Sequence, residues 1–311
     1  MQDRSLGTTE LEVTPVGFGT VELGMPYEVG LPPPPSTAAS IALLRRAYEA
    51  GINYFDTAPV YGNSEELVGK AFSHLREKPI LATKVTLKAD AKGPHLAGAA
   101  LRQHLETSVL NSLEKLELER IELLQIHSVE ENFATEELLD IADDFCSRGL
   151  VRYWGATTYG KTAPMEALDY AEHFRVLQVA YNVLDRRMEK QVFPRSRQVG
   201  TGVVLRSAFL KGALSERVDR LPAHLAPLSK ATRRVQQLAE GMGISLPELA
   251  FRFTAHNPYS SIALFGTASA VEMQANLEAF FAGPLPEEVQ RELEPLSLDD
   301  TDLINPGTWG F

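Results

Sequence analysis

The chain has 311 residues, a net charge of −11 and a hydrophobic content of 44%, which is enough apolar material for a large buried core. The acidic balance excludes the basic surface that nucleic acids require, and an anionic membrane would repel it. There is no signal-peptide h-region and no apolar run long enough to span a bilayer, and the single cysteine, Cys146, excludes an intramolecular disulfide. We therefore expect a soluble cytoplasmic protein that binds neither nucleic acid nor membrane.

The N-terminal part of the chain is predicted to be β-structure. Residues 4–13 have the pattern of a short β-hairpin around a glycine-containing turn, and residues 16–20 form the first buried strand. Residues 21–35 include a proline-rich stretch that cannot join a helix or a central strand. Such a loop is either the wall of a pocket or a surface insertion.

From Ser36 onward, helix-type and strand-type patterns alternate. Ser36 caps a helix that ends before Gly51, and Asn63 and Glu66 have the spacing of a capping box. Cys146 is expected to be buried on the apolar face of its helix, and residues 186–197 are a polar, arginine-rich loop. The further predicted strands are 53–56, 79–84, 121–127, 152–157, 176–181, 202–207 and 261–265. The further predicted helices are 65–72, 95–116, 135–148, 163–173, 229–240, 247–255, 270–280 and 286–296.

Eight strand-then-helix units predict parallel strands with right-handed crossovers, and eight such strands can close into a (β/α)8 TIM barrel. We predict a single domain over residues 1–311, in which the hairpin precedes the barrel. An open, doubly wound sheet is the alternative. Its dinucleotide-binding fingerprint fails, because Gly17 and Gly19 are correctly spaced but the next glycine, Gly24, comes two residues late.

Polar residues follow the barrel strands at the positions where active sites form, the C-terminal strand ends. Asp56, Lys84 and His127 end three consecutive predicted strands, and Tyr61 lies in the loop after Asp56. Because a buried charge is costly unless it is paired, these residues are expected to form one network. Taken singly, Lys84 could be a solvated strand end, and His127 could be an ordinary core histidine.

The chemistry of this network suits proton transfer to an alkoxide. A tyrosine with a pKa of about 10 exchanges protons poorly at neutral pH, and a neighbouring ammonium lowers that pKa. Asp56 would keep Lys84 charged, and His127 would orient the carbonyl oxygen of a substrate. The four residues therefore fit the protonation of a carbonyl that receives hydride from a bound cofactor.

These segments resemble the aldo-keto reductase superfamily, in residues 11–20, 51–66, 82–84 and 123–128, and the likeness covers nearly the whole chain. The resemblance implies a (β/α)8 barrel that binds NADP(H) or NAD(H) without a Rossmann domain. It implies Tyr61 as the general acid/base, Lys84 as the partner that lowers its pKa, Asp56 as the support of Lys84, and His127 as the residue that orients the substrate. The implied substrate is a small carbonyl compound or alcohol: an aldehyde, a ketone or a sugar.

The resemblance also implies a set of cofactor-binding residues: Thr157, Thr158, Gln178, Arg206, Ser207, Leu210, Gly212, Gly266, Thr267, Glu272 and Asn276.

Several of these residues depart from the family pattern. Thr157 and Thr158 stand where Ser-Asn is usual, and Arg206 stands where many members stack a tyrosine on the nicotinamide. Gly266 and Glu272 replace a common lysine and a common arginine. A carboxylate repels a 2′-phosphate and accepts a hydrogen bond from a 2′-hydroxyl, so the sequence favours NAD(H) over NADP(H). Alternatively, Glu272 is only a dipole-favoured acid in the first turn of a helix.

Other functions remain open at this point. The histidines lack the spacing and the cysteine partners of a metal site. Lys84 could instead serve a Schiff-base lyase, or the protein could be a cofactor-binding redox sensor that turns over slowly. The substrate walls would be residues 21–35, residues 129–133 and the C-terminal tail. Their aromatic candidates are Tyr27, Phe133, Trp154 and Trp309. Substrate identity, reaction direction and oligomeric state have no sequence signal.

Overall fold

The computed structural model describes residues 1–27, 33–90 and 93–310. Eight parallel strands close into a barrel in chain order, with the last strand paired to the first. They are β3 (Val16–Gly19), β4 (Tyr54–Asp56), β5 (Ile80–Val85), β6 (Ile121–Val129), β7 (Val151–Thr158), β8 (Phe174–Ala180), β9 (Gly202–Arg206) and β10 (Ile262–Gly266). Strands β1 (Arg4–Ser5) and β2 (Glu12–Val13) form an antiparallel hairpin before them. The predicted TIM barrel with an N-terminal hairpin is confirmed.

Helices surround the barrel and alternate with its strands. They are α1 (Val21–Gly24), α2 (Thr37–Glu49), α3 (Ser64–Phe72), α4 (Gly98–Leu116), α5 (Glu136–Ser147), α6 (Thr162–Asp169), α7 (Val192–Val199), α8 (Ala226–Gly241), α9 (Leu246–Ala255), α10 (Ala270–Phe281), α11 (Glu287–Leu293) and α12 (Thr301–Ile304). Short 3-10 turns cover Glu216–Arg220, Ala223–Leu225, Glu294–Leu296 and Pro306–Thr308. In the part of the chain that the structure covers, no helix combines the length and apolarity needed to cross a membrane.

The hairpin closes the N-terminal end of the barrel. Leu6 and Val13 are fully buried and belong to one apolar cluster with inward-facing strand residues such as Tyr54 and Leu123. Gly7 has φ 62°, and a Cβ at this position would lie 2.2 Å from the backbone nitrogen of residue 202, so only glycine fits. Because this end is filled by side chains, the polar residues at the C-terminal strand ends are left to form the site.

Aromatic side chains fill the layer between strands and helices. Trp154 is 2% exposed and packs on Phe145 with ring centroids 6.1 Å apart. Phe133 and Trp309 are buried in the same cluster, so these three aromatics are core residues rather than pocket walls. Tyr27 is 37% exposed. Of the proline-rich segment, residues 28–32 lie outside the described residues, and its first turn is the short helix α1.

Three local expectations were wrong. Cys146 is exposed, because it lies in the last turn of α5, where the helix leaves the core. Asn63 has φ −96° and ψ 16° and makes no capping hydrogen bond, since an N-cap needs an extended conformation. The polar loop contains helix α7, whose buried residues Val192, Phe193 and Ser196 share one face between the arginines.

Candidate active site

The ends of β4 and β5 form a buried ion pair. Asp56 is the last residue of β4, and Lys84 lies one residue before the end of β5. The Lys84 side chain is only 1% exposed, and its Nζ donates to Asp56 Oδ2 at 2.5 Å and to the Thr57 carbonyl at 2.9 Å. Charges this deeply buried are stable only when they are paired and hydrogen-bonded. The Lys84–Asp56 pair is therefore the first part of the expected network.

Tyr61 lies against this pair and against His127. Lys84 Nζ is 4.8 Å from the centroid of the Tyr61 ring, and the His127 ring stands edge-on to it at 5.7 Å. The loop that carries Tyr61 is held by close backbone packing. A Cβ on Gly24 would lie 1.8 Å from the Tyr61 carbonyl oxygen, and Gly62 has φ 59°. The structure thus brings all four predicted catalytic residues together.

A second shared interaction fixes the other oxygen of Asp56. Its Oδ1 accepts hydrogen bonds from Gln125 Nε2 at 3.1 Å and from Gln178 Nε2 at 2.8 Å. Gln178 Nε2 also donates to Gln125 Oε1 at 3.4 Å, so the carbonyl oxygen of Gln178 is the one left as an acceptor. Sequence reasoning missed Gln125, although a glutamine inside the apolar run Leu-Leu-Gln-Ile-His was the available signal.

The protonation states follow from this burial. Burial and then the negative charge of Asp56 raise the pKa of Tyr61, whereas Arg206 opposes them. The expected lowering by Lys84 does not appear, because the ammonium is neutralised by Asp56. Burial lowers the pKa of Lys84, against the raising effect of Asp56. Burial, Lys84 and Arg206 hold the pKa of His127 well below its usual value. Near neutral pH, Tyr61 is therefore protonated and His127 is uncharged.

An irregularity in β6 orients His127. The pairing register with β7 shifts between Ile126 and Val129, and Ser128 adopts a left-handed φ of 54°. The Ser128 backbone nitrogen donates to Thr157 Oγ1 at 2.6 Å. Such an irregularity changes the direction of the neighbouring side chain, here that of His127. The hydrogen bond from Ser128 to Thr157 holds the backbone in this conformation.

Two cavities meet at Tyr61 and His127. The first, called the cleft below, runs along the ends of β3, β4, β8, β9 and β10, and Tyr61 lines it. The second has a volume of about 450 Å³, and His127 lines it. Its other walls include Val60, Leu87 and Val129. The two cavities are thus lined by the two members of one ring contact.

The predicted cofactor residues divide into two groups. Those that line the cleft are Gln178, Arg206, Ser207, Leu210 and Gly266. Those outside its lining are Thr157, Thr158, Gly212, Thr267, Glu272 and Asn276. Glu22 and Tyr27, from the predicted wall segment 21–35, also line it, and Thr20 and Lys211 line it without having been expected. Glu22 is 6% exposed. The sequence feature that could have identified it is an acidic residue just after the first strand.

Glu272 is not an isolated carboxylate. Its Oε1 accepts from Arg217 Nη2 at 2.9 Å, and its Oε2 accepts from the Thr267 hydroxyl at 2.5 Å. It also lies in the first turn of α10, where the helix dipole favours an acid. Sequence reasoning missed Arg217, which comes from a distant 3-10 turn.

No group of three or more His, Cys, Asp or Glu side chains that could hold a metal ion occurs within residues 1–27, 33–90 and 93–310. The functional groups near the strand ends are instead the hydroxyl of Tyr61, the amide of Gln178, the ammonium of Lys84 and the imidazole of His127. A (β/α)8 barrel with this set at its C-terminal face belongs to the barrel enzymes.

Comparison with known proteins identifies the family. The Aldo/keto reductase family model matches residues 15–297, so the chain belongs to this family and is an oxidoreductase. The chain is 28% identical to aldo-keto reductase YhdN of Bacillus subtilis over 98% of this chain and 97% of that protein. It is 26% identical to a putative voltage-gated potassium channel subunit beta of Schizosaccharomyces pombe, over 81% and 82%. The solved holo form of aldo-keto reductase AKR11C1 from Bacillus halodurans superposes with a TM-score of 0.77 at 26% identity, over 96% of this chain and 97% of that one.

Proposed function

We propose that the protein transfers a hydride between a nicotinamide dinucleotide and a small carbonyl compound or alcohol, with Tyr61 as the general acid/base. One observation carries the proposal. The Tyr61 ring, which lines the cleft, contacts the His127 ring, which lines the second cavity, and it lies near Lys84 as well. A cofactor in the cleft and a substrate in the second cavity would therefore meet at its hydroxyl.

The cleft has groups that suit a nicotinamide dinucleotide. Gln178 lines the cleft and keeps a free carbonyl acceptor. Thr158 lies outside the lining, behind Arg206, and its buried Oγ1 has no hydrogen-bond partner in the described part of the chain. The Gln178 acceptor suits the carboxamide of the ring. At the other end, a Cβ on Gly266 would lie 3.1 Å from Glu22 Oε1, so glycine keeps this end open. Helix α10 begins just beyond Gly266, and its N-terminus favours a phosphate.

The chain's own groups account for the proton. When bound, the reduced nicotinamide supplies a hydride from C4 to the carbonyl carbon. Tyr61 is protonated and donates its proton to the carbonyl oxygen, and uncharged His127 donates a hydrogen bond to the same oxygen. Arg206 opposes the burial that raises the pKa of Tyr61 and so stabilises the phenolate that results, while the Lys84–Asp56 pair lies against the Tyr61 ring.

The Schiff-base alternative loses support from the same contacts. A nucleophilic lysine must be uncharged and reachable by its substrate. Lys84 is 1% exposed and ion-paired to Asp56 at 2.5 Å. Burial does lower its pKa, but the aspartate opposes that shift. A redox sensor would use the same residues as the proposed enzyme and would differ from it only in turnover rate.

We further propose NAD(H) as the preferred cofactor. The Glu272 carboxylate already occupies Arg217 and the Thr267 hydroxyl, the groups near it that could hold a 2′-phosphate. A phosphate dianion would have to displace this carboxylate and would be repelled by it. Glu272→Gln is expected to improve NADPH binding more than NADH binding. Equal or tighter binding of NADPH by the unmodified protein would contradict the preference.

The experiment for the main proposal combines binding and turnover. Purified protein is titrated with NADH and NADPH by fluorescence, and aldehydes, ketones and sugars are then screened by the absorbance of the reduced nicotinamide. Tyr61→Phe is expected to retain cofactor binding and to lose turnover. The matched control is Tyr48→Phe, because Tyr48 packs on Phe72 in the helical layer. Undiminished turnover by Tyr61→Phe would refute the mechanism.

A further inference from the structure

Arg206 brings a positive charge to the cleft. It is the last residue of β9, and it lines the same cleft as Tyr61 and Gln178. Its guanidinium lies 4.6 Å from the centroid of the Tyr159 ring. Nη2 donates to the Thr158 carbonyl at 3.1 Å, and Nη1 donates to the Ser207 hydroxyl at 3.2 Å. Three neighbours thus fix the orientation of this group, and all three are uncharged.

The charge of Arg206 is not balanced by an ion pair. Among residues 1–27, 33–90 and 93–310, no carboxylate lies within ion-pair distance of its guanidinium. An arginine stays protonated at any pH at which the protein is folded. Its field reaches the reacting groups, since it lowers the pKa of Tyr61 and of His127.

The other charges of the cleft do not cancel this field. Asp56 is neutralised by Lys84 at 2.5 Å. Glu22 lines the cleft beside Gly266 and is not among the charges that shift the pKa of Tyr61 or of His127, whereas Arg206 is. The charge of Arg206 is therefore the one that acts on both rings.

We propose that Arg206 makes the site discriminate between the two redox states of the nicotinamide, binding the reduced form more tightly than the oxidised form. The proposal rests on the proposed function, which requires the ring to lie beside Tyr61 for hydride transfer. The oxidised ring carries one positive charge and the reduced ring carries none, whereas the rest of the nucleotide is the same. Repulsion by Arg206 therefore acts only on the oxidised form.

The size of the effect follows from Coulomb's law. Two unit charges about 5 Å apart at an effective dielectric constant of roughly 20 to 40 change the binding ratio by about 15- to 300-fold. For this two-electron couple, a tenfold change corresponds to about 30 mV. Because the reduced form is favoured, Arg206 raises the midpoint potential of the bound couple. A site of this kind holds the reduced cofactor and releases the oxidised one, which suits carbonyl reduction.

The test compares dissociation constants for NADH and NAD⁺ in the unmodified protein, Arg206→Gln and Arg206→Lys. We expect Arg206→Gln to lower the ratio of the NAD⁺ constant to the NADH constant by about tenfold or more, mainly through tighter NAD⁺ binding. Arg206→Lys keeps the charge and is expected to keep most of the ratio. Glu22→Gln removes an acid from the same cleft, and we expect it to raise the ratio or leave it unchanged.

The outcomes separate this proposal from the proposed function. If Arg206→Gln weakens NADH and NAD⁺ by the same factor, the arginine only packs against the cofactor, and the proposal is wrong while nicotinamide binding stands. A ratio that falls equally in Arg206→Lys and Arg206→Gln would also overturn it. If the unmodified protein binds none of NADH, NAD⁺, NADPH and NADP⁺, the proposed function itself is refuted, and this inference is refuted with it.

Discussion

Replacing Asp56 with asparagine tests whether the buried ion pair organises the site. The substitution keeps the shape of the side chain, and the asparagine Oδ1 can still accept from Gln125 and Gln178. Its Nδ2, however, would face Lys84 Nζ across the present 2.5 Å contact, placing one donor against another. Lys84 would then be a buried ammonium held only by the Thr57 carbonyl.

The structure sets the expected cost. The side chains of Lys84 and Asp56 are 1% and 6% exposed, and breaking a pair so buried costs about 3–5 kcal/mol in the free energy of unfolding. Arg102 and Asp144 form a pair at 2.7 Å with side chains 45% and 34% exposed. Such a surface pair contributes about 0–1 kcal/mol, so Arg102→Met is the matched control.

The pH dependence adds a second test of the same reasoning. Asp56 raises the pKa of Lys84, so its removal lowers that pKa further below the unfolded value of about 10.4. Between these values the unfolded chain binds more protons than the native variant, and the stability of the variant rises with pH. The deficit against the unmodified protein is therefore expected to shrink between about pH 7 and pH 10.

Urea unfolding followed by tryptophan fluorescence measures both quantities, because Trp154 and Trp309 are buried and report the loss of the core. A deficit below about 1 kcal/mol near pH 7 would refute the reasoning, since that is the range of surface pairs. A deficit that grows as the pH rises would refute it as well. The double variant Asp56→Asn/Lys84→Met should recover part of the lost stability, because it removes the unpaired charge.

Three further changes act on the geometry around Tyr61 and His127. Because the pKa of His127 is low in the folded state, stability should fall below about pH 6.5 by up to about 1.4 kcal/mol per unit, and His127→Asn should flatten that slope in urea unfolding. Gly24→Ala should lower kcat on the order of 100-fold by moving Tyr61, whereas Gly241→Ala, with open space around it, should not. Thr157→Val removes the acceptor of Ser128 and should cost about 1–2 kcal/mol in urea unfolding and lower kcat.

The barrel and the polar ends of its strands were predictable from local signals. Each strand was a short apolar run between turn residues, and Asp56, Lys84 and His127 interrupted apolar composition at corresponding places. Helix α7 was missed because its proline and its two arginines are typical of a polar loop, although Val192, Phe193 and Ser196 are buried on one face. Strand ends were therefore more readable than the polar outer helices.

Contacts between distant segments were not predictable. Gln125 donates to Asp56, which is 69 residues away in the chain. This role could be predicted only by knowing which strand residues face the barrel interior. Gly24 does not fit the spacing of a nucleotide-binding motif. Its role in the structure is to leave room for the backbone of Tyr61. Arg217, which is 55 residues away in the chain, donates to Glu272, so this acid is part of an ion pair and not an isolated carboxylate. In each case, the partner is set by the closing of the barrel and not by sequence spacing.

The two effects of Arg206 act on different species, which explains how one charge can serve a whole reaction cycle. Its field opposes the burial that raises the pKa of Tyr61, and so it stabilises the phenolate when the proton has been given to the substrate. The same field repels an oxidised nicotinamide beside it. The phenolate regains a proton from water, but the oxidised nucleotide must leave for the next turnover. We therefore expect Arg206 to stabilise the phenolate and to speed the release of the oxidised cofactor, whereas the same charge disfavours hydride transfer from the bound reduced cofactor.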